Sequence, residues 1–65
     1  MIYGDTDTLL VRAARYGREE SIRLLLECQA DVNQTNGYGD SPAFAACLAS
    51  QIGAVRILHE AGADL

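Results

Sequence analysis

The chain has 65 residues, of which 49% are hydrophobic and 22% are charged, and its net charge is −4. This length allows one small domain, and the composition is that of a globular chain and excludes intrinsic disorder. All five basic residues are arginines in an acidic chain without a basic stripe, which makes the chain a poor candidate for binding nucleic-acid phosphates, so we expect no nucleic-acid partner.

From these residues we expect neither a membrane-spanning segment nor a secretion signal. No apolar run approaches the roughly 18 residues needed to span a membrane. The first residues, Met1 to Asp5, lack the basic and then apolar pattern of a secretion signal. Two cysteines are too few for a disulfide framework, so we expect reduced thiols and an intracellular location, cytoplasmic or nuclear.

Two short helices are predicted in the first half of the chain. The first begins at Thr8, whose hydroxyl can cap a free backbone N–H, and it ends at Gly17 in the left-handed conformation of a C-cap. The second runs from about Glu19 to Cys28, with acidic residues in its first turn, where the helix dipole favours them. Its apolar face is formed by Ile22, Leu24, Leu25 and Leu26.

A loop and two more helices follow. The Asn36-Gly37 pair predicts a tight hairpin turn in which both residues have positive φ. Ser41-Pro42 then gives an N-cap followed by proline at the first helical position, and this helix ends near Ala49 or Ser50. The last helix is predicted from about Gly53 to Glu60, and Gly62 stops it.

The second half of the chain repeats the first. An ungapped shift of 33 residues superimposes identical or similar residues at both ends and in the middle of the unit. The pairs are Asp7 and Asp40, Thr8 and Ser41, Ala13 and Ala46, Ile22 and Val55, Arg23 and Arg56, Leu25 and Leu58, Glu27 and Glu60, Ala30 and Ala63, and Asp31 and Asp64. A fixed period of this length is typical of a repeat architecture.

These segments resemble the ankyrin repeat family, whose 33-residue unit has a β-turn and two antiparallel helices and opens with Thr-Pro-Leu-His-x-Ala-Ala. Segments 8–14 and 41–47 stand at that opening, and Gly62-Ala63-Asp64 resembles the family's closing motif. The resemblance implies an all-α fold of stacked helix-turn-helix repeats, a short α-solenoid, with repeat one at about 4–36 and repeat two at about 37–65.

The sequence departs from the family pattern at several places. The opening His is replaced by Val11 and Phe44, the opening Pro by Leu9, and the first helix-ending Gly by Gln29. We expect Gln29 to cost up to about 1 kcal/mol if it must take a positive φ. Because about three repeats are normally needed for stability, we expect either flanking repeats or self-association to supply the missing surface.

No catalytic, metal or cofactor site is predicted. Cys28, Cys47 and His59 lack the spacing of metal ligands, and no base lies next to a thiol in the sequence. We expect Cys47 to be a small core residue, Cys28 to be partly exposed and His59 to be half-buried near the open end. The acidic residues read as helix-start and turn residues.

The resemblance implies a non-catalytic protein-binding module that docks its partner on the concave face formed by the turn tips and first helices. The outward positions expected there are Asp5, Asp7, Arg15, Tyr16, Tyr38, Asp40 and Leu48. The aspartates suggest a partner with basic character, and the tyrosines could instead cover the repeat junction. The alternative is a structural spacer or targeting segment of a larger, possibly enzymatic, protein with no ligand of its own.

One modification pattern also stands out. Asn33 lies in the repeat-linking loop, with Leu25 eight positions and Asp31 two positions before it. This arrangement is similar to the acceptor pattern of the asparaginyl hydroxylase that modifies ankyrin repeats. The competing interpretation, which we prefer, is that Asn33 is simply a turn-forming residue.

Overall fold

The structure, a computed structural model, describes residues 7–64. In this range the chain forms four helices and no strand: α1 (Leu9–Arg15), α2 (Glu19–Glu27), α3 (Pro42–Leu48) and α4 (Ile52–Glu60). The all-α prediction is confirmed, and each predicted helix is present within one or two residues of its expected bounds.

The first helix of each repeat begins at a hydroxyl cap, as predicted. The Oγ1 atom of Thr8 accepts a hydrogen bond of 3.0 Å from the backbone N–H of Val11. The Oγ atom of Ser41 accepts one of 3.1 Å from the N–H of Phe44, and Pro42 follows at the first helical position. Each cap satisfies one of the N–H groups that a helix start leaves without a partner.

All four helices end before a residue in the left-handed region. These residues are Gly17 at φ 70°, Gln29 at 72°, Ser50 at 58° and Gly62 at 95°. The roles of Gly17 and Gly62 are confirmed, and Gln29 does adopt the positive φ that we expected to be costly. Ser50 was not predicted to do so; it lies 33 residues after Gly17 and therefore occupies the same place in its repeat.

The two repeats stack through both helix layers. Helix α1 packs against α3, and α2 packs against α4, while the two helices of each repeat also contact each other. The core lies between these four helices and is built from small and branched side chains: Leu10, Ala13, Ala14, Ile22, Ala43, Ala46, Ala54, Ile57 and Leu58. The alanines allow the short helices to approach closely, so few large side chains are needed to fill the space.

The prediction of a hairpin turn with positive φ at both Asn36 and Gly37 is wrong. Neither residue has a positive φ, and Gly39 takes that conformation instead, at 84°. The physical reason is the side chain of Asn36, which is buried and whose Oδ1 atom accepts hydrogen bonds of 2.9 Å from the N–H groups of Tyr38 and Asp40. This side chain closes the turn from within, so the backbone does not need the left-handed pair.

Two further expectations about burial are wrong. Cys47 is exposed, although a core position was expected, and His59 is exposed rather than half-buried. Both residues lie in repeat two, and no described helix packs beyond α3 and α4. Ala14, the counterpart of Cys47 in repeat one, is fully buried because α3 covers it. Cys28 was expected to be partly exposed, and it lies exposed at the surface.

Candidate protein-binding surface

Three of the predicted partner-binding residues meet on one side of the stack. Arg15, Asp40 and Leu48 line a shallow depression of about 190 Å³ together with Ala45 and Ala49. We call this region, with the turn at 36–40 beside it, the α1/α3 surface. Helix α1 supplies the arginine, the turn supplies the aspartate and the end of α3 supplies the leucine.

A salt bridge holds the charged part of this surface in place. The guanidinium of Arg15 pairs with the carboxylate of Asp7 through both of its terminal nitrogens, and its Nη2 lies 3.2 Å from Oδ1. The Nδ2 atom of Asn36 donates a further hydrogen bond of 2.7 Å to the same Oδ1. These contacts join the start of repeat one to the turn that links the two repeats, so they fix the orientation of Arg15.

The same contacts change the acidity of both groups. The hydrogen bonds from Arg15 and then from Asn36 lower the pKa of Asp7 below its ordinary value of 3.8. The hydrogen bond to Asp7 raises the pKa of Arg15. Asp7 is therefore ionised at neutral pH and is engaged within the chain, so its charge is balanced by Arg15 before any partner arrives.

Two of the predicted residues are exposed apolar or aromatic groups. Leu48 is 70% exposed at the rim of the depression, and Tyr38 is 79% exposed at the tip of the turn. The alternative that the tyrosines cover the repeat junction is wrong for Tyr38, because a side chain with that exposure covers little. Asp5 lies outside the described residues.

Tyr16 lies elsewhere. It is exposed and lines a second and larger depression of about 440 Å³ between α1 and α2, on the side of repeat one that faces away from repeat two. We call this depression the N-terminal groove, and its described lining is Leu9, Arg12, Ala13, Tyr16, Arg18, Ser21, Leu24 and Leu25. This groove was not predicted from the sequence, although an ungapped alignment of the repeats pairs Arg12 with Ala45 and Ser21 with Ala54.

Asn33 makes two hydrogen bonds, one within its own turn and one to the second repeat. Its backbone N–H donates to Oδ1 of Asp31 at 3.0 Å, which is a local turn contact. Its own Oδ1 accepts a hydrogen bond of 2.8 Å from the N–H of Asp64, 31 residues later. Asn33 thus ties the closing loop of repeat one to that of repeat two.

Within 7–64, no three His, Cys, Asp or Glu side chains are grouped in a way that could bind a metal ion. Cys28 and Cys47 are both free thiols on the surface. None of the helices in this range has the length and apolar content required to cross a membrane.

The chain matches a family model described as ankyrin repeats (3 copies), and the match extends over residues 2–65. This is nearly the full length, and it agrees with the four-helix stack and with the motifs at both ends of each unit. No curated protein matches the chain.

Proposed function

This chain belongs to the ankyrin repeat family, and we propose that it is a non-catalytic module that docks a partner protein on the α1/α3 surface. Ankyrin repeats are in general protein–protein interaction modules. The observation that supports this surface is the exposed Leu48 beside a depression whose charged side is already ordered by the Asp7–Arg15 pair. An ordered surface loses less conformational entropy on binding.

The charges on this surface favour a partner of a particular chemistry. The charges of Asp7 and Arg15 cancel in their salt bridge. The negative charge that remains at the depression is the carboxylate of Asp40. A partner segment that places an apolar side chain against Leu48 and a cationic group near Asp40 would match both features. Tyr38 can add an aromatic contact at the edge, since tyrosine is frequent at interface hot spots.

The side of repeat two that no described helix covers exposes an aromatic side chain, and we propose that this side is covered in the cell. Phe44 is 49% exposed, whereas Val11, its counterpart, is fully buried between the repeats. A further repeat or a second copy would cover Phe44 and supply core that two repeats lack. A circular-dichroism melt at several concentrations tests this: a stable, cooperative transition independent of concentration would argue against any need for such cover.

Capture of partners from a cytoplasmic and nuclear lysate tests the binding surface, since we propose that the protein acts in these compartments. The wild type is compared with Leu48→Glu and Tyr38→Ala. Ile52→Glu serves as the matched control, because Ile52 is equally exposed and does not line the depression. We expect at least one protein whose capture falls about tenfold with Leu48→Glu, as for loss of about 1.4 kcal/mol, and is unchanged with Ile52→Glu.

The same experiment distinguishes the docking module from the competing function, a structural spacer or targeting segment. If no captured protein distinguishes Leu48→Glu from the control, while both variants keep the helical spectrum, the chain is better described as a structural spacer or targeting segment of a larger protein. That outcome would contradict the docking proposal. A partner that depends on Leu48 would contradict the spacer.

We also propose Asn33 as a candidate hydroxylation site, on the sequence pattern and on its exposure. Its side chain accepts a hydrogen bond from Asp64, so an enzyme would first have to release the closing loop. Mass spectrometry after incubation with an ankyrin-modifying asparaginyl hydroxylase tests this. An unmodified Asn33 in a chain that is at least partly unfolded would exclude it.

A further inference from the structure

The dipeptide Asn36-Gly37 carries a chemical reactivity that the fold itself does not require. The side-chain amide of an asparagine can be attacked by the backbone nitrogen of the next residue, and glycine hinders this attack least because it has no side chain. The sequence contains two asparagines, and Asn36 is the one that glycine follows, whereas Asn33 precedes Gln34. Asn36 is therefore the position at which this reaction is chemically favoured.

The reaction is a deamidation that needs only water. The backbone nitrogen of Gly37 gives its proton to hydroxide and forms a bond to Cγ of Asn36. The bond from Cγ to Nδ2 breaks and the nitrogen leaves as ammonia, which produces a five-membered succinimide ring. Water then opens the ring at either carbonyl carbon, so that position 36 becomes aspartate or isoaspartate. The net change consumes a water molecule and releases ammonia, and nothing is oxidised or reduced.

The attacking nitrogen is accessible in the folded chain. Within the described residues, the backbone N–H of Gly37 donates no hydrogen bond, and Gly37 lies exposed at the surface. No contact has to be released from this nitrogen before it can react, and solvent reaches it. Any restraint that the fold places on the reaction must therefore act on Asn36.

The side chain of Asn36 is held by three hydrogen bonds. It is 7% exposed and is the buried polar residue of the part of the chain that the structure describes. Its Oδ1 accepts from the N–H groups of Tyr38 and Asp40 at 2.9 Å, and its Nδ2 donates to Oδ1 of Asp7 at 2.7 Å. Because Nδ2 must leave as ammonia, the bond to Asp7 has to break before the ring can form, which raises the barrier.

The backbone of the turn adds a second restraint. The succinimide ring includes the Cα and the carbonyl carbon of Asn36, so it fixes the ψ angle of this residue. In the folded chain the N–H of Gly39 donates a hydrogen bond of 3.0 Å to the carbonyl oxygen of Asn36, and the N–H of Asn36 donates one of 3.0 Å to that of Asp40. These bonds hold the turn in its own geometry, so the turn must open for the ring to close.

We propose that Asn36 is a deamidation site that the stacked repeats protect and that reacts when the turn at 36–40 opens. The bond to Asp7 links this protection to stacking, because Asp7 lies in repeat one, 29 residues before Asn36. The chain thus records each lasting opening of the turn as a covalent change at position 36. This chemistry does not depend on whether the α1/α3 surface binds a partner.

The change would weaken the link between the repeats. An aspartate at position 36 keeps an acceptor for the N–H groups of Tyr38 and Asp40, but it has no donor for Asp7 and brings a second carboxylate against it, and like charges repel. An isoaspartate also adds a carbon atom to the main chain, so the turn cannot keep the same hydrogen bonds. Both products add negative charge beside Asp40.

The conversion rates of the full chain and of a synthetic peptide with residues 31–42 test the proposal. The peptide has the same local sequence but lacks Asp7 and the helices that hold the turn. Both are incubated at neutral pH, and mass spectrometry after proteolysis measures conversion at Asn36 and at Asn33. Gly37→Ala in the peptide should slow conversion at Asn36, because its methyl group hinders the attack.

We expect Asn36 to convert at least about tenfold more slowly in the full chain than in the peptide, because it reacts only from the opened turn. Asn33 should convert slowly in both, although it is exposed in the folded chain, because Gln34 follows it. Equal rates at Asn36 in the chain and the peptide, or a faster rate in the chain, would overturn the proposal.

A pair of full-length variants tests the role of the Asp7 contact. Asp7→Ala removes the acceptor of Nδ2 and should speed conversion at Asn36 about tenfold. Val55→Ala is the control, because Val55 lies in α4 and has no hydrogen bond with the turn, so it should change the rate much less. Equal acceleration by the two variants would show that general loss of stability controls the reaction, and it would overturn the protection by stacking.

Discussion

The two repeats have residues with positive φ at the same two positions, but the amino acids at these positions differ. Repeat one has glycine after its first helix, at Gly17, and glutamine after its second, at Gln29; repeat two has Ser50 and then Gly62. The stacked helices require the positive φ in each case. Packing therefore sets the backbone conformation at these positions, and a residue that disfavours positive φ adopts it at a cost in folding free energy.

A second difference concerns burial. Val11 and Ala14 are fully buried, whereas their counterparts Phe44 and Cys47 are exposed. The corresponding helices α1 and α3 have the same length, but their neighbours differ, because repeat two covers repeat one while no described helix covers repeat two. Burial in this fold is therefore a property of the position in the stack and cannot be assigned to a residue type alone.

The largest expected loss of stability follows from this difference in burial between the two repeats. Ile22→Ala should destabilise the chain by about 2–5 kcal/mol, because Ile22 is fully buried between the repeats. Val55→Ala, at the corresponding half-buried position, should cost about 1 kcal/mol or less. Urea unfolding followed by circular dichroism measures both. If Ile22→Ala leaves no folded chain, Ile22→Val provides the milder test, at about 1 kcal/mol; equal costs at the two positions would contradict the asymmetry.

Substitution of the two left-handed glycines, Gly17 and Gly62, should lower the stability of the chain by different amounts. A Cβ added at Gly17 would collide with the side-chain amide of Gln51, which donates a hydrogen bond of 3.2 Å to the carbonyl oxygen of Arg15. A Cβ at Gly62 would meet nothing. Gly17→Ala should therefore cost about 2–3 kcal/mol, the left-handed penalty plus the broken hydrogen bond, and Gly62→Ala about 1–2 kcal/mol. Thermal unfolding compares them, and a larger loss with Gly62→Ala would refute the role of Gln51.

Replacing the two ill-suited residues should stabilise the chain. Gln29→Gly and Ser50→Gly each remove a left-handed side chain, and we expect about 0.5–1 kcal/mol from each after the entropy cost of glycine. Ala49→Gly is the control, because Ala49 has a φ of −89° and should lose stability when replaced. Denaturant midpoints that fall in all three variants would show that the left-handed geometry carries no cost here.

The smallest expected effect is the pH dependence of the Asp7–Arg15 pair. Because folding lowers the pKa of Asp7 below 3.8, its contribution to stability is complete above about pH 5 and is lost as the pH falls through the lowered value. Asp7→Asn should be less stable than the wild type at neutral pH, and the difference should shrink below about pH 4. Melting temperatures of both proteins between pH 7 and pH 3 measure this, and a constant difference would argue against the lowered pKa.

Much of this fold could be predicted because its signals are local. Thr8, Ser41-Pro42, Gly17 and Gly62 mark helix ends through their own hydrogen bonds or φ values, and the ungapped period aligns the two units. The turn at Asn36 could not be predicted in the same way. Its geometry depends on a buried side chain that also bonds to Asp7, 29 residues away.

The candidate sites were harder to predict from the sequence than the fold. Arg15, Asp40 and Leu48 were placed on one surface by family resemblance, and the structure brings them together. Tyr16 was assigned to the same surface but lines the N-terminal groove. The direction of a residue at a helix end depends on which helix lies beside it, and a single repeat pattern does not contain that information.

Hydrogen–deuterium exchange of the chain with a captured partner that depends on Leu48 tests the central claim most directly. Our account predicts slower exchange in the complex at residues 36–49 and near Arg15, which form the α1/α3 surface, and unchanged exchange along the outer side of α4. Protection confined to α2 and α4, with none at 36–49, would contradict the claim that the partner docks on the α1/α3 surface.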